Sequence, residues 1–177
     1  MTRDYLSEWP RENAVTFAIA ETLVGQGIRR SDIKAHFDRQ RGVDVIAGLP
    51  NGLTLICESK GEPPNVRTFG PKKGQTKDAG SMTTDRGINL RDGLGLLIGR
   101  MREPTAVFAL AVPLTHDFYS LLKRALPLRV RKLLKIHVLL AEKSGTVRHL
   151  PPGDDYPDES ASLGTLAVAL LDSGGSD

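Results

Sequence analysis

Residues 43–60 read VDVIAGLPNGLTLICESK, and the architecture follows from them. Residues 43–47 are rich in β-branched side chains and form a strand. Leu49-Pro50-Asn51-Gly52 makes a turn in which Asn-Gly is the hairpin signal. Residues 53–60, LTLICESK, form the returning strand, and Gly61-Glu62-Pro63-Pro64 breaks it. Side chains two apart on a strand face the same way, so Thr54, Ile56, Glu58 and Lys60 share one face, and Leu55, Cys57 and Ser59 the other. The second face is mostly apolar and directed at the core. The first ends in an acid and a base side by side, where the strand is about to leave the sheet. Asp44 points away from its neighbours Val43 and Val45, and the hairpin folds the two strands back so that Asp44 and Glu58 approach.

Working outward, residues 10–24 predict a first helix, with Pro10 at an early position, Ala14, Phe17, Ala18 and Leu23 at helical spacing, and Gly25 and Gly27 as stops. Residues 33–39 precede the hairpin as a first strand. After it, residues 66–84, containing GPKKGQTKDAG, read as a mobile loop. Residues 88–101 predict a second helix, weakened by Gly93, Gly95 and Gly99. Residues 105–112 (TAVFALAV) are a buried strand. Thr115 caps a third helix carrying Phe118, Leu121, Leu122, Ala125 and Leu126. Residues 136–141 and 146–150 are two more strands. Pro151-Pro152-Gly153 separates a domain over residues 1–153 from an acidic tail, 154–177, in which residues 163–171 suit a closing helix or strand. The order is α-β-β-β-α-β-α-β-β, a mixed α/β layer with helices available to cover the sheet.

Two carboxylates held together repel unless a divalent cation or a shared proton sits between them. Hard oxygen donors of this kind select Mg²⁺ or Mn²⁺. Beside them, Lys60 suits the orientation of a water and the stabilisation of charge on a phosphate, so the set fits phosphodiester hydrolysis. Other chemistries are poorly served. The histidines, His36, His116, His137 and His149, lack zinc-type spacing; Cys57 lies on the apolar strand face, where burial outweighs nucleophilic use. No G-x-S-x-G is present, and Gly93, Gly95 and Gly99 read as helix packing rather than a phosphate cradle.

Charge agrees with a polyanionic partner. The tail holds six acids and no Lys or Arg, so the net +3 of the chain resolves into +9 for residues 1–153 and −6 for the tail. Aromatics are only 5% of residues, which puts the weight of nucleic-acid contact on charge rather than stacking. Lys34, Arg39 and Arg41 flank the Asp44 strand; Lys72, Lys73 and Lys77 occupy the following loop; Arg86 and Arg91 open the second helix. For each, a solvated surface role competes with contact. Arg129, Arg131, Lys132 and Lys135 read as a solvated run. A single cysteine excludes an internal disulfide, and neither a signal-peptide core nor a membrane-length apolar run is present, which points to the cytoplasm.

The segment FDRQRGVDVIAGLPNGLTLICESKG (residues 37–61) resembles the PD-(D/E)xK nuclease superfamily, whose motif is an Asp, a gap, then Glu/Asp-x-Lys on the next strand. Asp44 matches the first acid and Glu58-Ser59-Lys60 the second part, in a context similar to the Holliday-junction resolvase and Mrr-like restriction branches. Val43 stands where many members have Pro, which leaves the ligands intact. The resemblance implies a restriction-endonuclease-like αβββαβ core, with a mixed central sheet flanked by helices. It implies a Mg²⁺- or Mn²⁺-dependent endonuclease acting on nucleic acid, DNA first. Asp44 and Glu58 would be metal ligands, Lys60 would position the water, and a first-helix Glu would reach the metal (Glu12, with Glu21 the competitor). It places a further active-site residue near Arg86 and Arg91, with Gln75 a weaker choice, and it implies a homodimer. Two alternatives remain open: a non-catalytic nucleic-acid-binding module on the same fold, and a subunit targeted by a partner protein.

Overall fold

A computed structural model describes residues 5–37 and 42–156. Its central strand, Thr54–Ser59, is buried on both faces from Leu55 onward. Apolar side chains on both sides of one strand require cover on both sides, and helices supply it. The order is α1 (Glu12–Gly25), β1 (Ile33–Ala35), β2 (Val45–Gly48), β3 (Thr54–Ser59), α2 (Ala79–Gly99), β4 (Ala106–Pro113), α3 (His116–Ala125), α4 (Leu128–Leu134), β5 (Ile136–Ala141) and β6 (Val147–Leu150), with short 3₁₀ turns at Tyr5–Glu8 and Arg30–Asp32. The six strands form one mixed sheet in sequence order. β3, β4 and β5 run parallel, and every other neighbouring pair is antiparallel. Parallel strands in the middle of a sheet are the most deeply covered, which is why β4 and β5 are almost wholly buried.

Two apolar layers sandwich the sheet. On one side Val15, Ile19 and Leu23 of α1 pack on Val45, Leu55, Cys57, Ala109 and Leu139. On the other, Leu90, Leu94 and Leu97 of α2 and Phe118 and Leu122 of α3 pack on Ile56, Leu110 and Val138. Each of the Val, Leu, Ile and Phe side chains contributes about 1.5–3 kcal/mol by leaving water. The β2–β3 hairpin closes as its sequence predicts: Gly52 sits at φ +83°, open to glycine, and the Asn51 side chain accepts from Leu53 N at 3.0 Å.

Several boundaries differ from the sequence expectations. The first strand stops at Ala35, and Arg39 and Arg41 lie outside the described residues. The tail from residue 157 on, with the closing segment 163–171, also lies outside them. The loop expected over 66–84 ends early, because α2 starts at Ala79. Asp78 caps it by accepting from Ser81 N at 2.7 Å, and Thr83 and Thr84 return their hydroxyls to the carbonyls of Ala79 and Gly80. Those first turns are polar and largely exposed, so no apolar periodicity announces them. The remaining loop is hydrogen-bonded, with Val66 bridged to Thr76 and Arg67 N donating to Gln75 O. The helix capped by Thr115 ends at Ala125, as its apolar spacing predicts, but a further short helix, α4, not expected from sequence, follows with Pro127 at its N-cap. Arg131, expected on a solvated face, is fully buried, its guanidinium 4.3 Å from the Tyr156 ring. Among the described residues no helix is long and apolar enough to cross a membrane.

Candidate active site

The register of the hairpin brings the acids together. Val45 pairs with Cys57, so one step further along the antiparallel pair Asp44 stands opposite Glu58, and residues directly opposite share a face. Asp44 Oδ2 accepts from Ser59 N at 2.7 Å, which holds its carboxylate against the β3 strand beside Glu58. Just past the end of β3, Lys60 keeps the ladder by donating its N–H to Ala111 O at 2.8 Å. Its Nζ lies 3.2 Å from Glu12 Oε2, 3.6 Å from Asp44 Oδ2 and 4.0 Å from Glu58 Oε2. One ammonium thus faces three carboxylates, from α1, from β3 and from the residue that leads into β2.

Two glycines make this approach possible. A Cβ on Gly61 would stand 2.2 Å from Glu12 N, so only glycine lets the start of α1 lie against the strand exit. A Cβ on Gly93 would stand 2.8 Å from Lys60 Cγ, so α2 leaves a slot for the lysine stem. The packing role expected for Gly93 is therefore met by a side chain of the site itself.

Burial sets the electrostatics. Glu58 is 1% exposed. Its carboxyl is pushed up to about 7, by burial first and the neighbouring Asp44 second, while Lys60 and Arg100 pull the other way. Burial would lower Lys60, but Asp44, Glu12 and Glu58 outweigh it and hold the ammonium above its usual value. Lys60 is therefore charged at neutral pH, a donor and not a base. Burial raises the Cys57 thiol well above its ordinary range, as its expected inertness requires.

Sequence reasoning missed Arg100. This residue caps the C-terminus of α2 and ion-pairs with Glu58 Oε1. Of the two first-helix candidates, Glu12 reaches the cluster, whereas Glu21 pairs with Arg30 at 2.6 Å. Lys34 is exposed on edge strand β1; Lys72, Lys73 and Gln75 are exposed on the loop before α2. Lys77 is engaged by Asp85 at 2.5 Å, and Arg86 by Glu62 and Asp117, both at 2.8 Å. Arg91 is exposed and donates to Gly87 O. Arg86 thus grips Glu62, two residues beyond Lys60.

Among the described residues no group of three or more His, Cys, Asp or Glu side chains is arranged to hold a metal ion. The donor set nonetheless suits a divalent cation at two carboxylates: the buried Glu58 carboxyl is raised by the neighbouring Asp44, and Mg²⁺ or Mn²⁺ bound between them would relieve that repulsion. Glu12 is the most solvent-accessible of the three acids, its side chain 42% exposed. It lines a cavity of about 530 Å³ together with Glu8, Arg11, Gly61, Glu62 and Asn89. Comparison of the chain with protein-family models, with curated proteins and with solved structures finds no match.

Proposed function

We propose that the protein is a metal-dependent nuclease of restriction-endonuclease-like fold that hydrolyses phosphodiester bonds of nucleic acid, with DNA the first candidate and endonucleolytic cutting the expected mode. The observation that carries this reading is the Lys60 ammonium within 4.0 Å of Glu12, Asp44 and Glu58, at the C-terminal end of the interior strand β3 and beside a cavity. The element order α1-β1-β2-β3-α2-β4 supports the fold half of the proposal.

Asp44 and Glu58 would hold Mg²⁺ or Mn²⁺, which supplies charge neutralisation at the scissile phosphate and acidifies a water. Lys60, fixed in its slot by Gly93, donates hydrogen bonds to the water or to the phosphate oxygens as negative charge builds there. Glu12 is placed to accept a proton from a water beside Lys60, since its carboxylate opens on the cavity. Arg100 holds one oxygen of Glu58 and so orients the carboxylate.

That same contact favours a second reading, a nucleic-acid-binding module without turnover, because Arg100 takes an oxygen that a metal ligand would need. The test is cleavage of labelled linear duplex, single strand, flap and four-way junction with Mg²⁺ or Mn²⁺, for wild type, Lys60→Ala and Arg100→Ala. Metal-dependent cutting that disappears in Lys60→Ala supports the nuclease. Binding with no cutting of any substrate by wild type supports the module, and cutting gained in Arg100→Ala identifies that ion pair as the block.

A further inference from the structure

Phe69 is 84% exposed, the most exposed large apolar side chain among the described residues, in a chain poor in aromatics. Its loop is built rather than loose. Beyond the Val66–Thr76 bridge, Gly74 N donates to Arg67 O, Lys73 N to Gly70 O and Lys77 N to Asn65 O. An ordered loop that holds a phenyl ring in water forgoes the burial available to it, and a ligand for the ring would recover that.

The surroundings say which ligand. Phe69, Pro63, Pro64 and Ile88, with Arg67 and Lys77, line a cavity of about 380 Å³. Pro63, Pro64 and Asn89 are shared with the cavity on which Glu12 opens, so the cavity beside the ring adjoins the one beside the carboxylate cluster. The cavity beside the cluster is lined by three acids, Glu8, Glu12 and Glu62, and one base, Arg11, and the one beside the ring by two bases, Arg67 and Lys77, and one acid, Asp85, so the balance of charge shifts toward positive on the side of the ring. Arg67 is tied to Asp78 and Ser81, and Lys77 to Asp85, while Lys72 and Lys73, three and four residues beyond Phe69 in the same loop, are exposed.

We propose that Phe69 is a stacking platform for an unpaired nucleobase, with Lys72 and Lys73 against the flanking phosphates, so that the substrate of the site is nucleic acid containing a single-stranded segment. The inference rests on the nuclease reading for the identity of the substrate. A base inside a duplex has both faces covered by its neighbours, whereas an unpaired base presents a face to an aromatic ring whatever its identity. Phosphates beside the lysines release counterions, which ties binding to ionic strength.

The test measures binding of a fluorescently labelled single strand and of a duplex of the same sequence, both in EDTA so that cleavage plays no part. The proteins compared are wild type, Phe69→Ala, Phe69→Trp and, as a control for loss of an exposed apolar side chain elsewhere, Leu133→Ala on α4, where Leu133 is 80% exposed. Phe69→Ala is expected to lower the ratio of single-strand to duplex affinity about tenfold, the size of one base–aromatic stack. Phe69→Trp should keep the ratio and show quenching of the new indole on binding the single strand, and Leu133→Ala should not move it. Equal losses on both nucleic acids, no loss, or no single-strand binding by wild type would overturn the proposal. Cutting is scored separately, so a stacking site in a protein that never cleaves would leave this inference standing and remove the nuclease.

Discussion

Two buried polar clusters sit on the same sheet, and they handle charge in opposite ways. At the C-terminal end of β3, Lys60 lies among Glu12, Asp44 and Glu58, and the group opens on a cavity through Glu12. At the β5–β6 edge, His137 and His149 stack with ring centroids 5.1 Å apart and His137 Nδ1 2.8 Å from His149 Nε2. Both rings are almost wholly buried, at 3% and 4% exposure. Burial first, then the positive charge of Arg131, holds His149 down to about 4; for His137 the neighbouring His149 adds to both and brings it to about 3. The histidine cluster sheds its charge, and the carboxylate cluster keeps charges that oppose one another. An ionisable group in the interior is therefore weak evidence of a site by itself. Unresolved charge beside an opening is stronger evidence, because a ligand can complete it.

The largest effect that sharpens this contrast is on chemistry. Lys60→Ala should lower metal-dependent cleavage by at least about 10²–10³-fold, the cost of losing a preorganised donor at developing charge, while replacement of both histidines by Leu should leave single-turnover cleavage near wild type. Cleavage that survives in Lys60→Ala would erase the distinction between the clusters.

The second effect is on stability. Both histidines have folded-state values below their ordinary 6.5, so the unfolded chain binds more protons in acid. Their contribution is complete above about pH 6.5 and is lost as pH falls toward 4. Between pH 7 and pH 5 the pair should cost about 2–4 kcal/mol of folding stability, read by urea unfolding. The double Leu variant should flatten that part of the profile, and an unchanged profile would show that the pair is not the titrating unit.

Smaller effects separate glycines on one helix. Gly93→Ala places a Cβ against the Lys60 stem and should lower cleavage about tenfold, as a displacement of about 1 Å in a catalytic group can cost up to 10². Gly95→Ala meets nothing within 4 Å and should stabilise α2 by about 0.5–1 kcal/mol without affecting cleavage. Equal losses of cleavage in both variants would mean that α2 as a whole, and not the slot at Gly93, sets the position of Lys60.

What the sequence made legible follows from how local each signal is. Asn51-Gly52 sets the hairpin, the hairpin sets the register, and the register places Asp44 opposite Glu58. Glu12 was recognisable as a candidate on the first helix, but its rank over Glu21 depends on Gly61 letting the helix start abut the strand. Arg100 was not legible, since its contact with Glu58 depends on the length and tilt of α2, whose first turns carry no apolar pattern. Arg131 was hidden inside a basic run; only the aromatic ring of Tyr156, 25 residues later in sequence, marks it as an interior residue. Phe69 drew no notice in sequence because a single Phe in a lysine-glycine loop gives no periodicity to read.

The most direct test of the carboxylate cluster as a metal-dependent hydrolytic site is Mn²⁺ binding followed by electron paramagnetic resonance, for wild type, Asp44→Asn and Glu21→Gln. Saturable binding in wild type, retained in Glu21→Gln and lost in Asp44→Asn, is the expected result. Absence of bound Mn²⁺ in wild type, or binding that survives Asp44→Asn, would contradict it.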